Sequence, residues 1–230
     1  GTQQKKMATV SATSSSKSQM NRKYDGKRNQ MYLGMNDFDK IIKDNVAFID
    51  KTKFIKEWME TQIEVSVFLR PRRFGKSTNL SMLETFFSFG AESKDFSRFL
   101  IGKETEFIEK HCGKYPVVLL NMQGIDGENW GEMFKHVWSK LRHVMDSQAP
   151  YLNDRDINFI GIKYLDDEAK PDEAMAERFL SNLTSRLFKK CQKKVILLID
   201  EYDAPLNHAS RMGFFERASR FFGSFYSSGL

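Results

Sequence analysis

The chain has 230 residues, of which 40% are hydrophobic and 29% charged, a composition typical of a globular protein of one large domain or two small ones. It excludes fibrous proteins and chains that are disordered throughout. The formal net charge is +6, and residues 1–30 supply all of it, because the rest of the chain has as many acidic as basic residues. This Ser-, Thr- and Gln-rich stretch is predicted to be a disordered basic tail.

The two cysteines, Cys112 and Cys191, show no spacing typical of a metal site or a disulfide framework. We therefore expect interior or half-buried thiols and an intracellular protein, cytoplasmic or nuclear. No stretch approaches the roughly 18 apolar residues of a membrane span, and no signal peptide is evident, so no membrane partner is expected. The chain begins at Gly1 and ends directly after a helical pattern, which indicates a fragment.

The first predicted elements are two short helices, over residues 38–46 and around residues 54–59, where apolar side chains recur at helical spacing. A short apolar run at residues 65–69 predicts a buried strand. A loop at residues 70–77 follows, and apolar side chains on one face predict a helix over residues 80–87. The order is strand, loop, helix.

A second strand is predicted at residues 116–120, followed by an exposed turn at residues 124–127. Residues 130–145 fit a 3.6-residue period closely and predict a long helix. Residues 146–172 contain two prolines and many acidic residues, so we expect a long irregular segment with a short helix at most.

The last part of the chain predicts a helix at residues 179–188, a strand at residues 195–199 and a Phe-rich helix at residues 214–225. Strands separated by helices predict an α/β protein with a parallel sheet covered on both faces. The 20 phenylalanines are expected in the core, except that the last helix is expected to be exposed if part of the domain is missing. His136 and His143 are expected to be surface residues.

Gly75-Lys76-Ser77 lies between the first strand and its helix. This is the end of a phosphate-loop (Walker A) pattern, in which backbone N–H groups hold phosphates, the lysine neutralises them and the hydroxyl binds Mg²⁺. The leading glycine of that pattern is replaced by Arg70. A surface turn is the alternative interpretation of so short a motif.

Asp200 and Glu201 follow the last predicted strand, as a Walker B pattern does. Ligands bind at the carboxyl ends of parallel strands, so we expect both acids to face the loop. Asp200 would bind Mg²⁺ or its water shell, and Glu201 would act as general base. A solvated acidic turn is the alternative.

These residues resemble the predicted AAA-ATPase-like family, many members of which have a nuclease-like domain after the ATPase. The resemblance covers about residues 31–230, and the family itself has Arg at the first Gly position. Its motifs in this sequence are residues 48–52 (Phe-Ile-Asp-Lys-Thr), residues 70–83 and residues 199–207.

The resemblance implies a P-loop NTPase of three layers that binds ATP and Mg²⁺ and hydrolyses the ATP phosphoanhydride. Carried over by motif, Lys76 and Glu201 are catalytic, Ser77 and Asp200 bind the metal, and Asn121 is a candidate switch that restrains Glu201, or a plain strand-ending residue. The nucleotide-binding residues would be Arg70, Pro71, Arg72, Arg73, Phe74, Gly75, Lys76, Ser77 and Thr78. Arg72 or Arg73 adds charge at the phosphates or forms a solvated basic loop.

Two domains are therefore predicted: the tail, residues 1–30, and a P-loop ATPase-like domain, residues 31–230, which is truncated and lacks the strands that follow Walker B. Two other functions stay open. One is a nucleotide-dependent scaffold or switch that does not hydrolyse ATP. The other is a nucleic-acid-associated module that uses the basic tail or a missing C-terminal domain. The sequence gives no indication of the oligomeric state.

Overall fold

The computed structural model describes residues 8–9, 36–68, 74–162 and 171–229. Positions 70–73 of the predicted phosphate loop, and the tail apart from residues 8–9, lie outside the described residues. The chain forms two units. The first comprises residues 1–85 and 93–109, and the second comprises residues 86–92 and 110–230.

In its described residues the first unit contains a two-stranded parallel sheet and four α-helices. Ala8 pairs with Ser66 and Thr9 with Val67, so the strand predicted at residues 65–69 is present but short. Its partner strand, residues 8–9, lies in the tail, and the disorder of the tail stays a prediction. In chain order the elements are β1 (Ala8–Thr9), α1 (Phe38–Lys43), α2 (Lys53–Glu60), β2 (Ser66–Val67), α3 (Lys76–Phe87) and α4 (Thr105–His111), the last two helices each ending in the second unit.

The core of the first unit is built around aromatic rings. Phe38 packs against Phe99 with ring centroids 5.2 Å apart and against Phe48 at 5.3 Å. Helix α1 begins at Asp37, whose Oδ1 accepts a hydrogen bond from the Lys40 N–H. The helix ends earlier than predicted, and the backbone turns at Asn45, which has a left-handed φ of 49°. Buried side chains of this unit include Phe38, Ile41, Val46, Ile55, Met82, Leu83, Phe96, Phe99 and Ile101.

The second unit is built on two parallel strands that pair over five residues, from Val117 beside Ile196 to Asn121 beside Asp200. Both strands lie within one residue of their predicted positions, since each is a continuous apolar run. The elements are β3 (Val117–Asn121), α5 (Trp130–Gln148), α6 (Asp154–Ile160), α7 (Glu173–Glu177), α8 (Phe179–Cys191), β4 (Ile196–Asp200), α9 (Ala204–Met212) and α10 (Phe215–Ser228). Helix α5 packs against β3, and α10 packs against α7, α8 and α9.

The segment predicted to be irregular is mostly helical where it is described. A 3₁₀ turn, Ala149–Tyr151, follows α5. Helix α6 then begins with a capping box, in which Asn153 accepts from the Asp156 N–H and the Asp156 carboxylate accepts from the Asn153 N–H. The acids that suggested an irregular segment therefore include helix-capping residues. Residues 163–170 lie outside the described residues.

The structure differs from two expectations of exposure. Helix α10 is not exposed, because Phe221, Phe222 and Phe225 are fully buried in the core of the second unit. The turn at residues 124–127 is not wholly exposed either, since Ile125 retains only 2% of its accessible surface. Both differences have the same physical origin: packing partners that lie far away in the sequence.

Other predictions of burial are confirmed. Cys112 is buried and Cys191 partly buried, and His136 and His143 are exposed.

Of the helices in the described part of the chain, none combines the length and the hydropathy that crossing a bilayer requires.

Candidate nucleotide site

The start of α3 combines a glycine of positive φ with the N-terminal end of a helix. Gly75 has a φ of +77°, a conformation that glycine adopts without steric cost. The Asn79 N–H donates to the Gly75 carbonyl over 2.9 Å, so this is the first bond of the helix. The N–H groups of Lys76, Ser77 and Thr78 precede that bond and lack acceptors within the helix. Together with the helix dipole they favour an anion at this point.

A network of hydrogen bonds fixes the motif residues before α2 to the 3₁₀ turn Leu100–Lys103. The Asp50 carboxylate accepts from the Thr52 N–H over 2.9 Å, from the Thr52 hydroxyl over 2.7 Å and from the Leu100 N–H over 2.6 Å. Thr52, fully buried, in turn accepts from the Ile101 N–H over 3.0 Å. These contacts hold the backbone on both sides of Lys51.

Replacing Asp50 with Ala should destabilise the protein by about 2–3 kcal/mol, because three donors lose their shared acceptor in a partly buried position. The measurement is the free energy of unfolding in urea. Asp44→Ala, at an exposed carboxylate, is the control and should change stability by less than about 0.5 kcal/mol. Equal effects of the two substitutions would show that the network contributes nothing.

The two predicted Walker B acids lie at the carboxyl end of β4. Asp200 is buried, with 6% of its surface accessible, and its Oδ1 accepts from the Glu201 N–H over 3.0 Å. Glu201 has a left-handed φ of 52°, which is rare and unfavourable for a residue with a Cβ. The backbone therefore turns sharply here, immediately after the buried Asp200.

Tyr226 of α10 stabilises this turn through a hydrogen bond. Its hydroxyl donates to the Tyr202 carbonyl over 2.9 Å. Burial raises the pKa of Tyr226, and the nearby charge of Asp203 raises it further. The hydroxyl therefore stays protonated and can act as the donor. The Ala204 N–H donates to the Glu201 carbonyl over 2.9 Å and completes the turn into α9.

Asn121, the candidate switch, lies beside Asp200 in the sheet. Its side chain is exposed, and its amide oxygen accepts from the Gln123 N–H over 2.8 Å. Among the described residues, no hydrogen bond joins the Asn121 side chain to Glu201. The structure therefore places the two residues on adjacent strand ends but leaves the amide engaged with its own loop.

Sequence reasoning missed several residues that shape these surroundings. Tyr226 lies 24 residues after Tyr202, and no local pattern connects them. The Nε2 atom of His208 on α9 lies 2.9 Å from the Gly127 carbonyl oxygen. This contact connects α9 to the loop after β3. Within the motif at residues 199–207, the Asn207 side chain donates a hydrogen bond to the Asp203 carboxylate over 2.9 Å.

The predicted site residues divide between the two units. Phe74, Gly75, Lys76, Ser77 and Thr78 belong to the first unit, and Asn121, Asp200 and Glu201 belong to the second. Arg70, Pro71, Arg72 and Arg73 lie outside the described residues. That all of them face one ligand stays a prediction. In the part of the chain that is described, no group of three or more His, Cys, Asp or Glu side chains is arranged to hold a metal ion.

Comparison with known proteins gives one family. The model of the AAA-ATPase-like family, described as a predicted AAA-ATPase, matches residues 32–230. The match contains the start of α3 and the end of β4. No curated protein and no solved structure gives a significant match.

Proposed function

Because this chain belongs to the predicted AAA-ATPase-like family, we propose that it binds ATP with Mg²⁺ and hydrolyses it, as a P-loop NTPase of residues 31–230. One observation carries the proposal: Gly75-Lys76-Ser77 begins a 12-residue helix, with Gly75 at a φ of +77°. A surface turn requires neither the free N–H groups of a helix start nor the lysine and hydroxyl that follow.

The start of α3 would hold the triphosphate. The N–H groups of Lys76, Ser77 and Thr78 donate to phosphate oxygens, and the Lys76 ammonium neutralises the charge of the β- and γ-phosphates. No carboxylate of the described residues forms an ion pair with Lys76. The ammonium is therefore available to an anionic ligand.

The metal ligands would be the Ser77 hydroxyl and the Asp200 carboxylate. Both are hard oxygen ligands, which Mg²⁺ prefers, and Mg²⁺ usually takes only one or two from the protein, with phosphates and waters completing its shell. Asp200 is buried and has no cationic partner among the described residues, and a buried carboxylate of this kind is stabilised by a cation. Each of these oxygen ligands taken by itself therefore suits Mg²⁺, and the metal when bound would supply charge neutralisation at the phosphates.

Glu201 would activate the attacking water. Its carboxylate accepts a proton as the water oxygen bonds to the γ-phosphorus, while the bond from that phosphorus to the bridging oxygen breaks and ADP leaves. The products are ADP and inorganic phosphate. The left-handed turn at Glu201, supported by Tyr226 through the Tyr202 carbonyl, fixes the backbone from which this carboxylate extends.

Replacing Lys76 with Ala should weaken ATP binding by about tenfold or more, since a charged hydrogen bond to phosphate contributes about 1.5–3 kcal/mol. The measurement is a titration of the full chain with a fluorescent ATP analogue in the presence of Mg²⁺. Lys114→Ala, at an exposed lysine, is the control and should bind as the wild type does. Unchanged affinity in the Lys76 variant would refute the proposal.

A further inference from the structure

A second lysine reaches the start of α3 from another part of the chain. The Nζ atom of Lys51 lies 3.7 Å from the position that a Cβ on Gly75 would occupy. Lys51 and Gly75 both belong to the first unit. The glycine leaves open the space that this ammonium approaches.

The residues on either side of Lys51 fix the position of its backbone. Asp50 and Thr52 are bonded to each other and to the backbone of Leu100 and Ile101. Thr52 is buried, whereas Lys51 is exposed. The chain is therefore fixed on both sides of a lysine whose ammonium lies beside Gly75.

The electrostatics at this point favour an anion. The N-terminal end of a helix carries a partial positive charge, so a cation there is destabilising unless a negative group is close. In the described part of the chain no carboxylate forms an ion pair with Lys51, and none does so with Lys76. The Lys51 ammonium thus lies beside Gly75 at the start of α3, and no carboxylate of the described residues is paired with it.

We propose that Lys51 is a second phosphate-binding lysine, which neutralises the phosphate chain of the nucleotide together with Lys76. The inference rests on the proposed function, since it assigns a further ligand to the same site. It also gives a role to the Asp-Lys-Thr motif. Asp50 and Thr52 position the backbone, and Lys51 supplies the charge.

The test measures ATP binding to the full chain with substitutions at position 51. Lys51→Ala and Lys51→Met should each weaken binding about tenfold, while Lys51→Arg should recover most of the affinity because it keeps the positive charge. Lys53→Ala, at an exposed lysine two residues later, is the matched control and should bind normally. Lys51 is exposed, so all of these variants should unfold at the temperature of the wild type.

Three outcomes separate the two hypotheses. Weak binding by Lys76→Ala, together with weak binding by Lys51→Met and recovery by Lys51→Arg, supports both. Weak binding by Lys76→Ala with normal binding by Lys51→Met overturns only the role of Lys51. Methionine fills the space of the lysine side chain without its charge, so normal binding would show that the charge is not needed. Normal binding by Lys76→Ala refutes the proposed nucleotide site itself.

Discussion

Replacing Glu201 with Gln should lower the kcat of ATP hydrolysis by about 10²–10⁴-fold, the usual contribution of a general base. The affinity for ATP should stay within about twofold, because the role proposed for Glu201 is contact with the attacking water and not with the phosphates. Glutamine keeps the size of the side chain and the same backbone preference, so the left-handed turn at this residue is preserved. The measurement is phosphate release under saturating ATP.

Glu216→Gln, at an exposed glutamate on α10, is the control and should hydrolyse ATP at the wild-type rate. The experiment also separates the ATPase from the scaffold hypothesis. A wild-type chain that binds ATP without measurable turnover, and a Glu201 variant that behaves identically, would indicate a nucleotide-dependent switch. A wild-type chain with clear turnover that the Glu201 substitution leaves unchanged would remove Glu201 from the mechanism.

The parts of the fold that the sequence predicts well are those that local patterns determine. Strands β3 and β4 each consist of an apolar run that ends in one polar residue, and α5 has apolar side chains at helical spacing over its whole length. Asn121 and Asp200, which follow the two predicted strands, lie side by side in the sheet. Apolar runs and the spacing of apolar residues can be recognised in the sequence without knowledge of the tertiary structure.

The remaining features depend on contacts between distant residues. Asp50 accepts a hydrogen bond from a residue 50 positions later, and Tyr226 supports a turn 24 positions earlier. The left-handed backbone of Glu201 follows no local preference, since glutamate disfavours it. The motif residues were recognisable from sequence, whereas the interactions that position them were not.

The largest effect on stability is expected at Phe221. This ring is fully buried, with its centroid 5.2 Å from that of Trp130 and 5.5 Å from that of Phe134. Replacing Phe221 with Ala should lower the free energy of unfolding by about 3–5 kcal/mol, because the change removes buried apolar surface and leaves a cavity. That is a large part of the about 5–15 kcal/mol that stabilises a typical domain.

Phe215 offers a matched control on the same helix, since its ring is 46% exposed. Phe215→Ala should cost less than about 1 kcal/mol, the range of substitutions at exposed sites. Urea unfolding, followed by circular dichroism, measures both. A cost at Phe221 no larger than that at Phe215 would mean that α10 does not pack on the core in solution. In that case the hydrogen bond from Tyr226 to the Tyr202 carbonyl would also be lost, and the turn at Glu201 would lack this support.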